Sequence, residues 1–404
     1  MQTPKSLAYL NRNNGSGKLF IGNHDSIRAS VNDDLHTLQA FIDSNNGKFI
    51  VLALSYDLKN KIENLSSNNF DGINFPDFIA WVPETVIEIK KENVKFLQGE
   101  KTPEILEFLD FFLEEETDDN FHPYHFDFQP RTTKERYIAQ VEKLKNHIQR
   151  GDIYEVNFCQ EYFAKNVRLP YPLDAFFKVN RITKAPFSAY LQFDEFQVLC
   201  GSPERFIKKE GNKIISQPIK GTAARKRDEN EDELQKTWLK NNPKERSENV
   251  MIVDLVRNDL SRIAEPFSVK VDELMGIYTF ETVHQMISTV SCTVKENTNF
   301  ADILHATFPM GSMTGAPKIS AMQLSEETED FKRGLYSGSI GYLSPNGDFD
   351  LNVVIRTLIY NTENQYLSCG VGSAITIDSD PEKEYEECLT KVNKLLKGFQ
   401  SDEI

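Results

Sequence analysis

The chain has 404 residues, of which 39% are hydrophobic and 26% are charged, and it carries a formal net charge of −15 at pH 7. A chain of this length can bury a large core and needs no disulfide or metal support to fold. Because the net charge repels phosphate groups, the composition argues against nucleic acids and anionic membrane surfaces as partners.

The cysteine pattern favours a reducing compartment, and the hydropathy pattern does not predict a membrane span. Five cysteines occur without a Cys-x-x-Cys pair: Cys159, Cys200, Cys292, Cys369 and Cys388. They predict neither a zinc site nor a disulfide framework. The longest apolar run, Phe49–Leu54, is far below the roughly 18 residues of a membrane span, and the first residues lack a signal-peptide pattern. We therefore expect a cytoplasmic protein that makes no membrane contact.

In chain order, the first third is predicted to form short strands and turns, with a buried strand at Phe49–Tyr56. An acidic and then aromatic stretch, Asp118–Arg131, marks a weak boundary. A helix follows over Thr133–Arg150, in which apolar residues recur at helical spacing. We accordingly divide the chain into an amino-terminal part, 1–130, and a main part, 131–404.

The main part is predicted to contain hairpins and three helices. Turn sequences at 210–212 and 346–347 separate runs with strand character, and a continuous strand is expected over Leu351–Tyr360. The helical runs are Pro243–Ile263, Pro317–Glu327 and Pro381–Phe399. Because strands connect mainly to neighbouring strands, we predict an α+β fold with antiparallel sheets rather than a doubly wound α/β fold.

The last helix places two carboxylates and one ammonium on a flank of its apolar stripe. Glu384, Glu387 and Lys391 fall together at about 100° per residue. These groups could hold a hard cation beside an anionic ligand. Alternatively, Glu387 and Lys391 form a surface pair of about 0.3–0.5 kcal/mol.

Glu248 projects from the apolar side of the helix predicted for Pro243–Ile263, about one turn before Ile252. A carboxylate in such a position needs a partner, because burying an unpaired charge is unfavourable. A metal ion is one candidate for this partner. Arg257 or another basic side chain is the other.

Lys220 lies between a predicted strand and Gly221. If the lysine is buried, its pKa falls and its amine can act as a nucleophile or a base. If it lies on the surface, it is an ordinary solvated group. Glu204 is a candidate general acid nearby, or else the ion-pair partner of Arg205.

Three further features carry weaker chemical information. The loop 311–318 offers N–H groups and Lys318 to a carboxylate or phosphate, or is a plain glycine-rich turn. Arg356 is expected in a strand, where it would face a carboxylate such as a substrate's, or solvent. The sequence Gly370-Val371-Gly372 lacks the third glycine of a dinucleotide fingerprint and predicts a tight turn between strands.

The chain resembles the chorismate-utilising enzymes in a series of ordered segments between about Thr133 and Leu396. The segments are GDIYEVNFCQ, GSPERFI, QPIKGT, NPKERSENVMIVDLVRNDL, FPMGSMTGAPK, IRTLIY and CGVGSAITIDSDPEKEYEE. The resemblance implies a two-layered antiparallel sandwich flanked by helices, in which 131–404 binds chorismate and 1–130 is interleaved with the same sandwich. Lysine at position 220 is typical of the aminodeoxychorismate synthase component I branch, whereas anthranilate synthases usually have alanine there.

This resemblance implies a reaction and the residues that perform it. Chorismate and ammonia would give 4-amino-4-deoxychorismate, on the route to 4-aminobenzoate and folate. Lys220 would add covalently to C2 of chorismate, Glu204 would protonate the departing C4 hydroxyl, and Thr222 would assist them. The implied Mg²⁺ ligands are Glu248, Glu384 and Glu387. The implied substrate contacts are Gly221, Gln285, Tyr342, Arg356, Gly370, Gly372 and Lys391.

Two details qualify these roles. Lys220 must be neutral near pH 7 to act as a nucleophile, and we expect Mg²⁺ and Arg356 to lower its pKa. Gln285 stands where relatives usually carry a histidine, and glutamine can donate a hydrogen bond but cannot shuttle protons. His284 is not expected to replace it, because neighbouring residues on a strand face opposite ways.

The resemblance implies that ammonia comes from a separate glutamine amidotransferase subunit, since no Gly-x-Cys-x-Gly elbow of a glutaminase occurs in the chain. Two alternatives remain. One is another enzyme of the same fold, namely anthranilate synthase component I or an isochorismate or salicylate synthase. The other is a non-catalytic subunit that only binds an amidotransferase, although the joint presence of Glu204, Lys220 and the three predicted metal carboxylates argues against it.

Overall fold

The structure of the protein is a computed structural model, and it describes residues 4–91, 93–118, 120–281 and 283–399. The ends of the two predicted parts, 1–3 and 400–404, lie outside the described residues. Within these ranges, 21 strands form two antiparallel sheets, and ten α-helices pack around them. The prediction of an α+β fold with two antiparallel layers is confirmed.

The strands are β1 Ser6–Asn11, β2 Ser16–Ile21, β3 Asp25–Arg28, β4 Ile50–Leu54, β5 Phe78–Val82, β6 Thr85–Lys90, β7 Asn93–Gln98, β8 Gln129–Pro130, β9 Glu155–Ala164, β10 Phe187–Phe193, β11 Phe196–Ser202, β12 Arg205–Glu210, β13 Lys213–Gln217, β14 Ile219–Ala224, β15 Lys270–Thr279, β16 Val283–Thr293, β17 Gly315–Ala316, β18 Ser339–Leu343, β19 Phe349–Asn352, β20 Thr357–Asn361 and β21 Tyr366–Ile375. The helices are α1 Leu35–Ser44, α2 Lys59–Ile62, α3 Pro103–Thr117, α4 Lys134–Arg150, α5 Pro172–Thr183, α6 Glu229–Asn241, α7 Pro243–Ser261, α8 Phe300–Thr307, α9 Lys318–Thr328 and α10 Pro381–Leu396.

The two sheets take strands from the whole length of the chain. The first has the order β17-β9-β21-β20-β11-β10-β1-β2-β6-β7, with β8 beside β9. The second has the order β14-β16-β13-β12-β19-β18-β4-β5-β3, with β15 beside β16. Strand β1 pairs with β10, and β4 pairs with β18. The residues before 130 therefore contribute strands to both sheets, and the boundary there stays a prediction.

The central strands of the first sheet are buried on both faces. In β1, Ala8 belongs to the core shared with the second sheet, whereas Leu7 and Tyr9 pack in the core on the helical side. This alternation follows from the two-residue period of a strand. Helices α3, α4, α5 and α10 contribute their apolar sides to the second core. Both faces of the central strands are thus apolar, which explains their uninterrupted runs of buried residues.

Local capping signals mark the start of three of the four predicted helices, α4, α7 and α10. Thr133 accepts a hydrogen bond from the N–H of Arg136 at the start of α4, and Gly151 ends that helix with a φ of 84°. Asn242 and Asp380 cap α7 and α10, each followed by proline at the first helical position. In the part of the chain that the structure describes, no helix combines the length and apolar character needed to cross a bilayer.

Two strand predictions are wrong in detail. The run 351–360 is not one strand, because β19 ends in the second sheet and β20 begins in the first. Arg356 lies in the connection between them, with a φ of 52°, a left-handed backbone conformation that redirects the chain. The glycines at 370 and 372 do not form a turn, since both lie inside β21 and pair with Glu161 and Cys159 of β9.

Candidate active site

One cavity gathers most of the predicted site residues. It has a volume of about 510 Å³ and is bordered by β14, β16, β21, α7 and α10. Twelve of the thirteen predicted residues line it, namely Glu204, Lys220, Gly221, Thr222, Glu248, Gln285, Arg356, Gly370, Gly372, Glu384, Glu387 and Lys391. Because these residues come from elements far apart in sequence, the fold brings them together.

Tyr342 is the predicted residue that the structure places elsewhere. It lies in β18, where its ring contacts Phe20 at a centroid distance of 5.6 Å and Phe49 at 6.3 Å. The expectation that Tyr342 contacts the substrate is therefore wrong in this structure, because the ring is part of the packing between the sheets. Tyr336, which follows α9, lines the cavity instead.

Lys220 is buried in the cavity wall and is paired. It retains 8% of its accessible surface, and its ammonium donates a short hydrogen bond to Oε1 of Glu155 at the start of β9. Burial lowers the pKa of Lys220, but the charges of Glu155 and Glu248 outweigh it and raise the pKa above its usual value. The contact with Glu155 thus stabilises the ammonium, and the neutral amine expected beside Mg²⁺ stays a prediction.

Gly221 is needed for the lysine to occupy this position. Its φ is 90°, and a Cβ atom there would lie 2.9 Å from Oε2 of Glu245 on α7. A side chain would hold the backbone in an unfavourable left-handed conformation and would displace the Glu245 carboxylate. The glycine thus allows β14, which contains Lys220, to pack closely against α7.

Glu204 has the properties expected of a general acid. It is 5% exposed, and burial raises its pKa to about 7, although the nearby Ser312 hydroxyl and the Lys220 charge act in the opposite direction. The alternative partner, Arg205, instead binds Asp350, with 2.9 Å between Nε and Oδ1. A carboxyl group with this pKa can hold a proton near neutral pH and release it.

Glu248 and Glu384 approach the cavity from two different helices, α7 and α10. They are 6% and 3% exposed. Arg257, one of the candidate partners of Glu248, pairs with Asp254 instead. The basic neighbour of both carboxylates is Lys244, whose Nζ is 3.1 Å from Oε1 of Glu384 and 3.8 Å from Oε1 of Glu248. Burial raises the pKa of Glu248 to about 7.

Glu387 and Lys391 form the surface pair that the helical spacing predicted, and they also line the cavity. Their charged atoms are 2.7 Å apart, and the Lys391 ammonium donates to the carbonyl of Gly372 at 2.9 Å. Burial opposes ionisation of Glu387, but the Lys391 charge outweighs it and lowers the pKa of Glu387. The surface pair is therefore present, and both of its residues border the cavity.

Arg356 presents a guanidinium group to the cavity. Burial lowers the pKa of Arg356, and the charge of Glu204 acts against this. Among the residues that the structure describes, the side chain makes no hydrogen bond and no ion pair. A Cβ on Gly370 would lie 2.4 Å from the Tyr336 ring, so the glycine permits the close packing of Tyr336 against β21.

Gln285 and its neighbour face opposite ways, as predicted. Gln285 lines the cavity and pairs with Thr222 across β14 and β16. His284 is fully buried on the other face, where its ring nitrogens lie 2.9 Å from Asp232 and 3.0 Å from Thr279. The histidine therefore does not take part in the cavity.

The lysine of the glycine-rich loop before α9 is paired with other protein groups. Lys318 forms an ion pair of 2.6 Å with Asp259 and donates to the carbonyl of Thr307 at 3.2 Å. It does not line the cavity, to which the loop contributes Ser312 and Met313. An anion at the N–H groups of this loop stays a prediction.

The carboxylates suit a hard divalent cation in their chemistry. Oxygen donors are the preferred ligands of Mg²⁺, and the buried Oε1 of Glu248 has no hydrogen-bond partner in the described chain. As the side chains stand, no group of three or more Asp, Glu, His or Cys within residues 4–399, apart from the three undescribed positions in that range, is arranged to hold a metal. The Lys244 ammonium lies within 3.8 Å of two of the acids.

Sequence reasoning missed several residues of the cavity, chiefly Glu155, Lys244 and Trp238. Glu155 is the first residue of β9 and is buried there, which is an unusual position for a carboxylate. Lys244 stands one turn before Glu248, and this spacing could have identified it as a partner. Trp238, on α6, is half-exposed at the rim, and its sequence surroundings gave no indication of this.

Similarity to known proteins identifies the family of the chain. The sequence profile described as chorismate binding enzyme matches residues 6–397. The chain belongs to this family. Its fold resembles the crystal structure of anthranilate synthase component I from Streptococcus pneumoniae TIGR4, with a TM-score of 0.80 and 27% identity, covering 95% of this chain and 92% of that one.

The curated relatives of this chain include proteins named aminodeoxychorismate synthase component 1, among them those of Klebsiella aerogenes and Bacillus subtilis (strain 168). The protein of Klebsiella aerogenes is 43% identical over 272 residues, which are 67% of this chain and 59% of the relative. The protein of Bacillus subtilis (strain 168) is 33% identical over 363 residues, which are 87% of this chain and 76% of the relative. The match thus spans about three fifths of the first relative's length and three quarters of the second's.

Proposed function

We propose that this protein aminates chorismate with ammonia to give 4-amino-4-deoxychorismate. The observation that carries the proposal is a buried lysine in the cavity, Lys220, close enough to Glu204 for their charges to interact. An amine that can bond to the substrate and a carboxyl group with a pKa of about 7 together supply nucleophilic and acid catalysis. The similarity to two proteins named aminodeoxychorismate synthase component 1 supports the same reaction.

The cavity walls offer several groups to the carboxylates of chorismate. Arg356 has a guanidinium that is free to form a bidentate pair. Lys391, whose ammonium donates to the carbonyl of Gly372, and the backbone of Gly370 and Gly372 also line the cavity. Gln285 adds an amide donor. Anchoring both ends of the substrate in this way would place its ring over Lys220.

The covalent step requires a proton transfer within the wall. The ammonium of Lys220 must first lose a proton, and Glu155 is the carboxylate in contact with it. The free amine then adds to C2 of chorismate, while Glu204 protonates the C4 hydroxyl, which leaves as water. Ammonia next enters at C4 as the lysine departs from C2. Dividing one substitution into two easier displacements is the usual advantage of covalent catalysis.

Glu248, Glu384 and Glu387 are the residues that would hold Mg²⁺. When bound, the ion would offset the negative charge of a substrate carboxylate in an acidic cavity. For ammonia we propose a separate glutamine amidotransferase as the source. Cytoplasmic location is part of the proposal, supported by five buried cysteines that are all free.

The reaction is tested by identifying the product. Purified protein is incubated with chorismate, Mg²⁺ and ammonium, and we expect 4-amino-4-deoxychorismate by mass spectrometry. Anthranilate would favour the second candidate, which is supported by the fold of the Streptococcus pneumoniae protein. Isochorismate or salicylate would indicate another activity of the fold. Complete absence of turnover at saturating ammonium would leave only a role as a binding subunit.

The role of the lysine is tested by Lys220→Ala. We expect amination to be abolished while chorismate still binds, because the substrate contacts remain. Lys213→Ala is a matched control, since that lysine lies in β13 with a side chain 56% exposed and outside the cavity. An unchanged rate in Lys220→Ala would remove the lysine from the mechanism.

A further inference from the structure

Lys244 occupies an unusual position between two carboxylates. It lies in the first turn of α7, and its ammonium is 3.1 Å from Oε1 of Glu384 on α10 and 3.8 Å from Oε1 of Glu248 on its own helix. It therefore joins two of the three acids to which we assign the divalent cation. No other side chain in the described part of the structure forms an ion pair with either acid.

The surrounding charges show why a cation is needed there. The ammonium of Lys391 is paired with Glu387, and that of Lys220 is paired with Glu155. Glu248 and Glu384 are both nearly inaccessible to solvent, and two buried carboxylates without a counter-charge repel each other strongly. The charge of Lys220 acts on Glu248, and Lys244 supplies the ammonium that forms an ion pair with both acids.

The same side chain is able to leave. It is 42% exposed, whereas the carboxylates it contacts are 4% and 8% exposed. A lysine stem is flexible and its ammonium is well hydrated in water. Moving it outward would transfer the charge to solvent and free the oxygen atoms of Glu248 and Glu384 without moving either helix.

We propose that Lys244 is an internal counter-ion that takes the place of the divalent cation and is displaced when the cation binds. The inference rests on the cation site of the proposed function. Binding is then an exchange of one positive group for another, and the affinity for the metal is lowered by the interactions that Lys244 gives up. The pocket acids stay compensated whether or not a metal ion is present.

The test compares Mg²⁺ binding in the absence of chorismate. Isothermal titration calorimetry is performed on the full chain, on Lys244→Met and on Lys383→Met. Methionine keeps the length of the side chain and removes its charge. Lys383 is exposed on α10 beside Glu384 and does not line the cavity, so it controls for a general change of charge. We expect Lys244→Met to bind Mg²⁺ at least fivefold more tightly, and Lys383→Met to bind within twofold of the unmodified protein.

Equal affinities for Lys244→Met and the unmodified protein, or equal gains in both variants, would overturn the inference. If neither the protein nor Lys244→Met binds Mg²⁺, the inference also fails, and the metal is removed from the proposed function. Chorismate amination by the unmodified protein is measured separately, so a failure of the reaction is distinguished from a failure of the exchange.

A second measurement uses no variant. Trace acetylation of the native protein, read by peptide mass spectrometry, reports the accessibility of each lysine. We expect labelling of Lys244 to rise at least twofold on addition of Mg²⁺, because the amine leaves the two carboxylates, while labelling of Lys383 stays constant. Unchanged or reduced labelling of Lys244 would contradict the displacement.

Discussion

At the scale of single residues, the main result is the contact between Glu155 and Lys220, since it decides the protonation of the proposed nucleophile. Both side chains are buried, and Glu204, Glu245, Glu248 and Glu387 also act on the lysine through their charges. The sequence predicted a low pKa of Lys220 from burial and from the charges of Mg²⁺ and Arg356. It could not predict the opposite shift, because the carboxylate in contact is 65 residues away in the chain.

Replacing Glu155 by glutamine should lower the pKa of Lys220, because the amide keeps a hydrogen-bond acceptor but removes the negative charge. The pH at which Lys220 becomes reactive toward acetic anhydride should fall by at least one unit. Glu161→Gln is the control, since Glu161 is a buried acid of the same strand that binds Arg131. A labelling curve for Lys220 that does not move in Glu155→Gln would show that Glu155 does not govern the lysine.

Replacing Glu204 by glutamine is expected to have opposite effects on activity and on stability. Its pKa in the folded protein is about 7, above the usual value, so the native state binds more protons than the unfolded state between about pH 4.5 and 7. This contribution is present at low pH and is lost as pH rises through 7. Glu204→Gln should therefore be more stable than the unmodified protein at pH 8, by on the order of 2 kcal/mol, and by much less at pH 5.

The same variant should lose about 100-fold or more in amination rate, because the proton donor to the C4 hydroxyl is gone. Thermal unfolding at the two pH values and steady-state rates would be measured on one preparation. A stability difference that does not depend on pH would contradict the shifted pKa. An unchanged rate would exclude Glu204 as the acid.

At the scale of secondary-structure elements, the sequence was informative where the signals are local. Thr133 and Gly151 bound α4, and Asn242 and Asp380 cap the two helices that carry the carboxylates. The sequence was less informative where contacts between distant parts of the chain determine the structure. Arg356 lies between two strands that belong to different sheets, and no short-range pattern distinguishes this connection from one long strand.

The ion pair between α7 and α9 allows a test of how a buried charge affects stability. Asp259 and Lys318 are each 11% exposed, and removing one partner of a buried pair leaves an uncompensated charge. Lys318→Met should destabilise the protein by about 3 kcal/mol, and the double variant Asp259→Leu, Lys318→Met should recover most of this. Urea unfolding of the three proteins would measure it. A double variant no more stable than Lys318→Met would show that the charge is not the cause.

At the scale of the whole molecule, the two tryptophans report on different regions. Trp81 is fully buried in the core between the sheets, whereas Trp238 is 50% exposed at the rim of the cavity. Chorismate in the cavity should therefore change the emission of Trp238 and leave that of Trp81 unaffected. In Trp238→Phe we expect the response to chorismate to disappear while the unfolding transition is still visible. A response that persists in this variant would place the ligand elsewhere.

The pairing of β1 with β10 and of β4 with β18 has a practical consequence for how the protein can be divided. Cutting the chain near residue 130 would leave the later fragment with bare edges at β10 and β18, and unpaired strand edges promote aggregation. We expect each fragment produced alone to be insoluble, and the two to reconstitute a catalyst only when synthesised together. Truncation experiments should therefore treat the residues before 130 as an integral part of both sheets and not as a separate domain.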